Sequence, residues 1–238
     1  MEIKSVLQQN EFRFNKKFGQ NFISDTNLLE AIVCDAGVTK DDVVIEIGAG
    51  AGSLTYALAQ KAKRVIAFEI DFNLKSVLKT TLQGLNNAEV IFGDVMDKPI
   101  DEIESLAGGS FKVVANLPYY ITTPVLMRFV EESANMSSMT VMVQKEVADR
   151  LVAKAGGKDY GRITVAVDCF GDAKLMRNVS RQMFYPQPNV DSAVVRIDRN
   201  KKYSVDEKLL RQVVKSAFAM RRKVFSTCLA AGLGISKE

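Results

Sequence analysis

Residues 43–58 read VVIEIGAGAGSLTYAL, an apolar run that leads into a glycine-rich turn and then into an amphipathic pattern. Val43–Ile47 predicts a buried strand, and Leu54, Ala57 and Leu58 recur at helical spacing behind it. Glycines in such a turn let the backbone approach a ligand closely, and the N-terminus of the next helix favours negative charge. This strand, turn and helix therefore predict a site for a nucleoside cofactor.

Apolar runs alternate with helical patterns along most of the chain, which predicts a doubly wound α/β sheet. The composition changes near Asn200, and residues 205–219 then read as a basic helix. We therefore predict a cofactor-binding catalytic domain over residues 1–200 and the start of a small helical domain over residues 201–238. The predicted strands are residues 43–47, 64–70, 89–92, 112–115, 139–143, 163–170 and 192–197.

The composition excludes several kinds of chemistry. The chain of 238 residues contains no histidine, which rules out Ser-His-Asp and Cys-His catalysis and histidine-ligated metals. Cys34, Cys169 and Cys228 lie far apart, so we interpret them as reduced core residues and expect neither a metal nor a disulfide framework. The polar N-terminus does not resemble a signal peptide, and no apolar stretch has membrane-spanning length. We expect a cytoplasmic protein without a membrane partner.

Acidic residues end two further predicted strands. Glu69 lies at the end of the second predicted strand, where a carboxylate can accept hydrogen bonds from both ribose hydroxyls of a nucleoside. Asp94 follows the third strand, where it can accept a hydrogen bond from an adenine amino group. A dinucleotide is the alternative ligand, but Ser53 stands where the dinucleotide pattern requires its third glycine. The pattern favours S-adenosylmethionine over a nicotinamide cofactor.

Residues 112–127, KVVANLPYYITTPVLM, contain the candidate catalytic turn. Pro118 lacks an N–H, so the strand should stop at Asn116. Proline also favours extended dihedrals at Leu117, which lets the Asn116 side chain and the Leu117 carbonyl project together beside Tyr119. Two acceptors beside an aromatic ring suit the exocyclic amine of adenine. The alternative is a proline-terminated turn closed by packing tyrosines.

Basic residues cluster near both ends of the chain, although the net charge is only +4. Arg13, Lys16 and Lys17 lie near the start, and the triplet Arg221, Arg222 and Lys223 lies near the end. Such patches suit a phosphate backbone, and the alternative is a solvated helix face.

Together these motifs resemble the small-subunit ribosomal RNA adenine dimethyltransferase family, the KsgA group. The resemblance covers nearly the whole chain and implies a Rossmann-like S-adenosylmethionine-dependent methyltransferase sheet with a small helical C-terminal domain. It implies methyl transfer to two adjacent adenosines in the 3′-terminal hairpin of small-subunit rRNA, within a pre-ribosomal particle. The motifs that carry it are residues 17–22 (KFGQNF), 46–50 (EIGAG), 69–71 (EID), 93–94 (GD), 116–121 (NLPYYI) and 184–192 (FYPQPNVDS).

The resemblance also assigns roles to single residues. Tyr119 and Phe184 would hold the target adenine between them, with Asn116, Leu117 and Pro118 forming the rest of the catalytic turn. The basic triplet at residues 221–223 would contact RNA. The implied cofactor-binding residues are Asn21, Ile23, Gly48, Gly50, Glu69, Asp94 and Asn116.

Three alternatives remain at this point. A related methyltransferase could modify an adenine of large-subunit rRNA, a non-catalytic assembly factor could keep the fold as a scaffold, and a dehydrogenase could bind nicotinamide. The family usually continues with further helices beyond the basic triplet, so we expect a truncated C-terminal domain.

Overall fold

The structure of the protein, a computed structural model, describes residues 3–15, 18–200, 205–220 and 223–236. Its strands are β1 (Phe22–Ile23), β2 (Val43–Ile47), β3 (Arg64–Glu69), β4 (Ala88–Phe92), β5 (Phe111–Asn116), β6 (Met136–Gln144), β7 (Gly171–Val179), β8 (Phe184–Tyr185) and β9 (Ser192–Arg199). Its helices are α1 (Ile3–Gln9), α2 (Thr26–Asp35), α3 (Ser53–Ala59), α4 (Lys75–Thr81), α5 (Ile100–Ala107), α6 (Thr122–Glu132), α7 (Lys145–Leu151), α8 (Arg162–Phe170), α9 (Glu207–Ala217) and α10 (Phe225–Leu233).

Seven strands form one sheet in the order β4-β3-β2-β5-β6-β9-β7. The strands from β4 to β6 pair in parallel, whereas β9 lies between β6 and β7 and is antiparallel to both. The chain runs outward from β2 through β3 to β4, and then returns to the other side of β2 to form β5. This reversal creates a crevice at the carboxyl ends of β2 and β5, which is where open α/β sheets bind ligands.

Apolar side chains on the two faces of the sheet pack against different helices. Ile45, Val113 and Val195 face one layer, which includes α5, α6 and α8. Val44, Val114 and Val194 face the other layer, which includes α2 and α3. Because successive side chains of a strand point to opposite faces, near-continuous apolar runs cover both faces. The predicted doubly wound sheet is confirmed.

One predicted strand is wrong, because residues 163–170 form helix α8. The β-branched residues of this run favour a strand by propensity, but burial follows helical spacing at Thr164, Val167 and Phe170. The Thr164 hydroxyl also accepts the Gly161 N–H at 3.1 Å, which satisfies a donor at the start of the helix. The antiparallel edge strand β7 follows immediately.

The cysteine interpretation is only partly correct. Cys228 is buried, Cys169 is partly buried and Cys34 is exposed on α2, and none of the three forms a disulfide. The helical face of α2 explains the difference, because Leu29, Ile32 and Val33 take the buried positions and leave Cys34 on the solvent side.

After residue 204, the described part of the chain is helical. Asp206 caps α9 by accepting the Leu209 N–H at 3.0 Å. Helix α10 packs closely on α9, since a side chain at Gly232 would collide with the Ser216 hydroxyl. The division at residue 200 stays a prediction. Among the described residues, no helix has the length and apolar character to cross a bilayer.

Candidate functional site

A cavity of about 450 Å³ opens at the carboxyl ends of β2, β3, β4 and β5. Its volume falls within the range of small-molecule sites, roughly 300–1,000 Å³. The structure brings most of the predicted site residues to this one cavity. The predicted residues that line it are Asn21, Gly48, Gly50, Glu69, Asp94, Asn116, Leu117, Pro118, Tyr119 and Phe184.

The glycine-rich turn after β2 forms one wall of the cavity. Gly48 has φ +82°, in the left-handed region that favours glycine, and its missing side chain leaves the wall open beside the Asn116 carbonyl. The Gly48 and Ala49 N–H groups both donate to the Phe68 carbonyl, at 2.9 and 3.0 Å. These bonds fix the turn to β3 and keep its backbone accessible to a ligand.

Glu69 ends β3, and its carboxylate is almost completely buried, with 6% of the residue exposed. Oε2 accepts the Gly50 N–H and Oε1 accepts the Asp71 N–H, both at 2.7 Å. Burial raises the pKa of Glu69, while these two backbone hydrogen bonds oppose the rise. Each oxygen keeps a further lone pair, so the fixed carboxylate can also accept hydroxyl donors from the cavity.

Asp94 follows β4 and begins a short 3₁₀ turn. Its Oδ1 accepts the Met96 N–H at 2.8 Å, while the Gly93 N–H donates to the Glu69 carbonyl at 2.8 Å. The two strand ends are therefore bonded to each other. The carboxylate of Asp94 lies on the cavity wall, where it can accept an amine donor.

Asn116 is the last residue of β5, as the sequence predicted. Its side-chain Nδ2 donates to the Asn21 carbonyl at 3.1 Å. Because a carbonyl can only accept, this bond identifies the nitrogen side of the amide and leaves Oδ1 as its acceptor. The turn that follows is closed by the Ile121 N–H and the Thr122 hydroxyl, which both donate to the Pro118 carbonyl.

Two aromatic rings of the predicted site line the cavity. The Tyr119 hydroxyl lies 3.2 Å from the Ser192 Oγ, which ties the ring to the start of β9. Phe184 is buried in β8, which pairs with β1 so that Ile23 lies opposite Phe184. Each ring is thus held by a β-strand that is distant from it in the sequence, Tyr119 by β9 and Phe184 by β1.

Other predicted residues do not reach the cavity. Ile23 is 4% exposed and packs in the apolar layer with α2, α3 and Phe184, because its strand turns the side chain inward. Lys223 is exposed before α10 and does not line the cavity. Arg221 and Arg222 lie outside the described residues, as do Lys16 and Lys17.

The structure adds lining residues that the sequence reasoning missed. Gln20 donates from Nε2 to the Asp71 Oδ2 at 2.6 Å, and no local pattern predicts a partner 51 residues away. Tyr120 lines the mouth of the cavity and is 56% exposed. Burial raises the pKa of Tyr120, and the nearby carboxylates of Asp94 and Glu69 raise it further. Ile70 also lines the cavity and is 38% exposed, and its position directly after Glu69 was the available sequence signal.

Glu46 lies two residues before Gly48 in β2 and is completely buried. Neither of its carboxyl oxygens has a hydrogen-bond partner among the described residues, and the nearby Thr55 hydroxyl lies outside hydrogen-bonding geometry. Burial raises the pKa of Glu46 to about 8, and the nearby Glu69 carboxylate adds to the rise. Glu46 is therefore a neutral acid at pH 7. Because it is protonated, no second negative charge lies beside the Glu69 carboxylate.

The raised pKa of Glu46 predicts a pH-dependent stability. Between about pH 5 and about pH 8 the unfolded chain has lost this proton and the folded chain keeps it, so the contribution of Glu46 to the free energy of unfolding falls as pH rises, by about 1 kcal/mol per pH unit. Glu46→Gln carries no such proton. Denaturant unfolding at several pH values should show the variant gaining stability relative to the parent chain across this window.

Glu104→Gln is the matched control for Glu46→Gln. Burial alone would raise the pKa of Glu104, but hydrogen bonds from Asn135 and its neighbours lower it below the usual value. The stability that Glu104 contributes is therefore lost only as pH falls below its usual range, and Glu104→Gln should keep the slope above pH 5. Equal slopes for the parent chain and Glu46→Gln would contradict the neutral Glu46.

The chemistry of the cavity fits S-adenosylmethionine. Glu69 offers a carboxylate for a ribose diol, Asp94 offers one for an adenine amine, and the open backbone at Gly48 leaves space for an amino-acid end. Among the described residues, no group of three or more His, Cys, Asp or Glu side chains has the arrangement of a metal site.

Comparison with known proteins agrees with this geometry. Residues 11–235 match the model of the family described as ribosomal RNA adenine dimethylase. The chain is 44% identical to the ribosomal RNA small subunit methyltransferase A of Clostridioides difficile, over 97% of this chain and 81% of that protein. It is 46% identical to the protein of the same name from Geobacillus thermodenitrificans, over 99% of this chain and 82% of that protein.

Solved structures show the same fold. A dimethyladenosine transferase from Plasmodium falciparum superposes with a TM-score of 0.75 at 29% identity, covering 88% of this chain and 76% of that chain. The 23S rRNA methyltransferase ErmE superposes with a TM-score of 0.71 at 27% identity, covering 89% of this chain and 84% of that chain. The predicted Rossmann-like methyltransferase fold is confirmed.

Proposed function

This chain belongs to the ribosomal RNA adenine dimethylase family, and we propose that it dimethylates two adjacent adenosines in the 3′-terminal hairpin of small-subunit rRNA. It is an S-adenosylmethionine-dependent methyltransferase. One observation supports the assignment most strongly. The Asn116 turn shares a single cavity with Glu69 and Asp94, so a target amine and a nucleoside cofactor can occupy adjacent positions.

Fixed acceptors would hold the nucleoside part of the cofactor. Glu69 would accept hydrogen bonds from the ribose hydroxyls and Asp94 would accept one from the adenine amine, while Ile70 would provide an apolar contact between them. Asn21 closes the cavity from the N-terminal side. Among the implied cofactor contacts, Ile23 has the least support, because its side chain packs in the core.

The target adenine is held by the second half of the cavity. Tyr119 and Phe184 supply aromatic faces for the flipped base, and the Ser192 contact keeps the Tyr119 ring in place. Stacking of this kind excludes water and fixes the base, so alignment of the amine contributes much of the rate enhancement.

Asn116 and Leu117 activate the target amine. The adenine amine is a poor nucleophile because its lone pair is delocalised into the ring. Asn116 Oδ1 and the Leu117 carbonyl can accept hydrogen bonds from the two N–H groups of this amine. These bonds favour a tetrahedral nitrogen and stabilise the positive charge that develops on it. S-adenosylmethionine, when bound, supplies an electrophilic methyl group. The methylated nitrogen then loses a proton to water, which suits a chain without histidine.

The substrate is proposed to be rRNA within a pre-ribosomal particle in the cytoplasm, with a role in small-subunit biogenesis. Identity of 44–46% to proteins named ribosomal RNA small subunit methyltransferase A favours the small subunit over the large one. Residues 1–200 form the catalytic domain in this proposal. Residues 201–238, with the basic triplet Arg221, Arg222 and Lys223, contact RNA phosphates.

Methyl transfer to ribosomal subunits tests the proposed function. Labelled S-adenosylmethionine is incubated with the protein and with unmethylated small subunits, and in parallel with large subunits, and the product nucleoside is identified by mass. Dimethyladenosine in the small subunit alone is the expected result. Product in the large subunit, or cofactor binding without any product, would contradict the proposal.

A further inference from the structure

Gln20 connects the N-terminal segment to the cofactor side of the sheet. Its Nε2 donates to the Asp71 Oδ2 at 2.6 Å, and its Oε1 accepts the Asn15 N–H at 3.0 Å. Asp71 is 2% exposed, and its other oxygen accepts two hydrogen bonds from Asn73. A buried carboxylate with every partner in place is a rigid anchor, because moving any donor would leave charge unpaired.

The residue after Gln20 controls the orientation of the catalytic amide. The Asn21 carbonyl accepts the Asn116 Nδ2 hydrogen at 3.1 Å. A free asparagine amide rotates between two orientations of similar energy that exchange its oxygen and nitrogen. Only the orientation with Nδ2 toward Asn21 leaves Oδ1 to accept the amine of the substrate. The position of one backbone carbonyl therefore decides whether Asn116 presents an acceptor or a donor.

We propose that Gln20 is a positioning residue for Asn116. By binding Asp71, Gln20 holds the Asn21 carbonyl where it fixes the Asn116 amide with Oδ1 available to the substrate. This inference rests on the proposed function, which gives Asn116 its role at the target amine. It also couples the two halves of the site, because the anchor Asp71 lies two residues after the ribose ligand Glu69.

Reciprocal substitution provides a sharp test. Gln20→Glu places a carboxylate against the Asp71 carboxylate, and Asp71→Asn places an amide NH₂ against the Gln20 NH₂, so each single variant breaks the bond. Gln20→Glu combined with Asp71→Asn restores it in reverse, because the amide introduced at position 71 donates to the carboxylate introduced at position 20. The Asn15 and Asn73 donors keep their acceptors, and the summed charge of the two positions is unchanged.

The rate of methyl transfer should fall when the hydrogen bond between positions 20 and 71 is broken and recover when it is restored. Displacing a positioned group by about 1 Å costs up to about 100-fold in rate, so each single variant should lower kcat by about tenfold to 100-fold at saturating cofactor. The cofactor dissociation constant, measured by calorimetry, should change less than kcat. The double variant should recover most of the lost rate. Gln83→Glu, at an exposed position after α4, makes the same charge change and should have no effect.

A second measurement needs neither cofactor nor RNA. In ¹⁵N-labelled protein, the side-chain NH₂ signal of Asn116, identified by its disappearance in Asn116→Asp, should show a hydrogen-bonded proton. Gln20→Met, which keeps the length of the side chain and adds no charge, should shift that signal toward free amide values. An unchanged signal in folded Gln20→Met overturns the proposal, as does a folded double variant that recovers no rate. Failure of the proposed function is distinguishable, because it appears in the parent chain as an absence of dimethyladenosine.

Discussion

Asn116→Ala is expected to lower kcat for methyl transfer by about 10²–10³-fold, the loss that removal of one preorganised charge-stabilising group typically causes. Alanine removes Oδ1, the acceptor assigned to the target amine, and also the Nδ2 donor to the Asn21 carbonyl. Binding of S-adenosylmethionine should weaken only slightly, because Glu69 and Asp94 remain. Single-turnover methylation of small subunits and calorimetric titration of the cofactor measure the two quantities separately.

Asn27→Ala is the control for this experiment, since Asn27 is exposed on α2 and does not line the cavity. It should keep both the rate and the cofactor affinity of the parent chain. If Asn116→Ala lost affinity for the cofactor by the same factor as it lost rate, the assignment of Asn116 to the target amine would be wrong.

Glu69→Ala should produce the opposite pattern and weaken binding of S-adenosylmethionine by about 100-fold. The ribose hydroxyls lose a charged acceptor, and two such hydrogen bonds contribute about 3 kcal/mol together. The Gly50 and Asp71 N–H groups also lose their partner, so the glycine-rich turn should loosen. At saturating cofactor, kcat should fall far less than affinity does.

The raised pKa of Glu69 adds a pH test to this variant. Because burial raises the pKa of this carboxyl group above its usual range, cofactor affinity of the parent chain should fall as pH decreases through that raised value. Glu69→Ala should lack this part of the dependence. Glu89→Ala, on the exposed surface of β4, serves as the control and should bind the cofactor as the parent chain does. Unchanged affinity in Glu69→Ala would remove Glu69 from the ribose site.

Much of this fold follows from local pattern. Buried parallel strands read as apolar runs, and β5 ends before Pro118 because proline has no N–H to donate to a neighbouring strand. The positions of the acidic residues were predictable for the same reason, because an acid at the end of such a run must lie at the carboxyl end of its strand. Glu69 and Asp94 therefore reached the cavity as predicted.

Local pattern fails where tertiary packing decides. The run at residues 163–170 has strand-like propensity, yet it forms helix α8, in which the buried residues Thr164, Val167 and Phe170 recur every three positions. The role of Gln20 is likewise not predictable from local sequence, because it depends on Asp71 and only the folded chain brings the two residues together. The buried Glu46 was visible within a strand, but its protonated state follows from the absence of a partner among the described residues in three dimensions.

The pairing of β1 with β8 bears on when the protein becomes active during its own synthesis. The Ser24 N–H donates to the Met183 carbonyl at 2.9 Å, across 159 residues of sequence. Contacts of such high contact order form late, because a long loop must close before they contribute. Strand β9 must also have left the ribosomal tunnel before the sheet is complete. A nascent chain therefore carries its glycine-rich turn and its Asn116 turn long before Phe184 of β8 completes the cavity wall, so we expect methyl transfer only from chains that have been translated through β9.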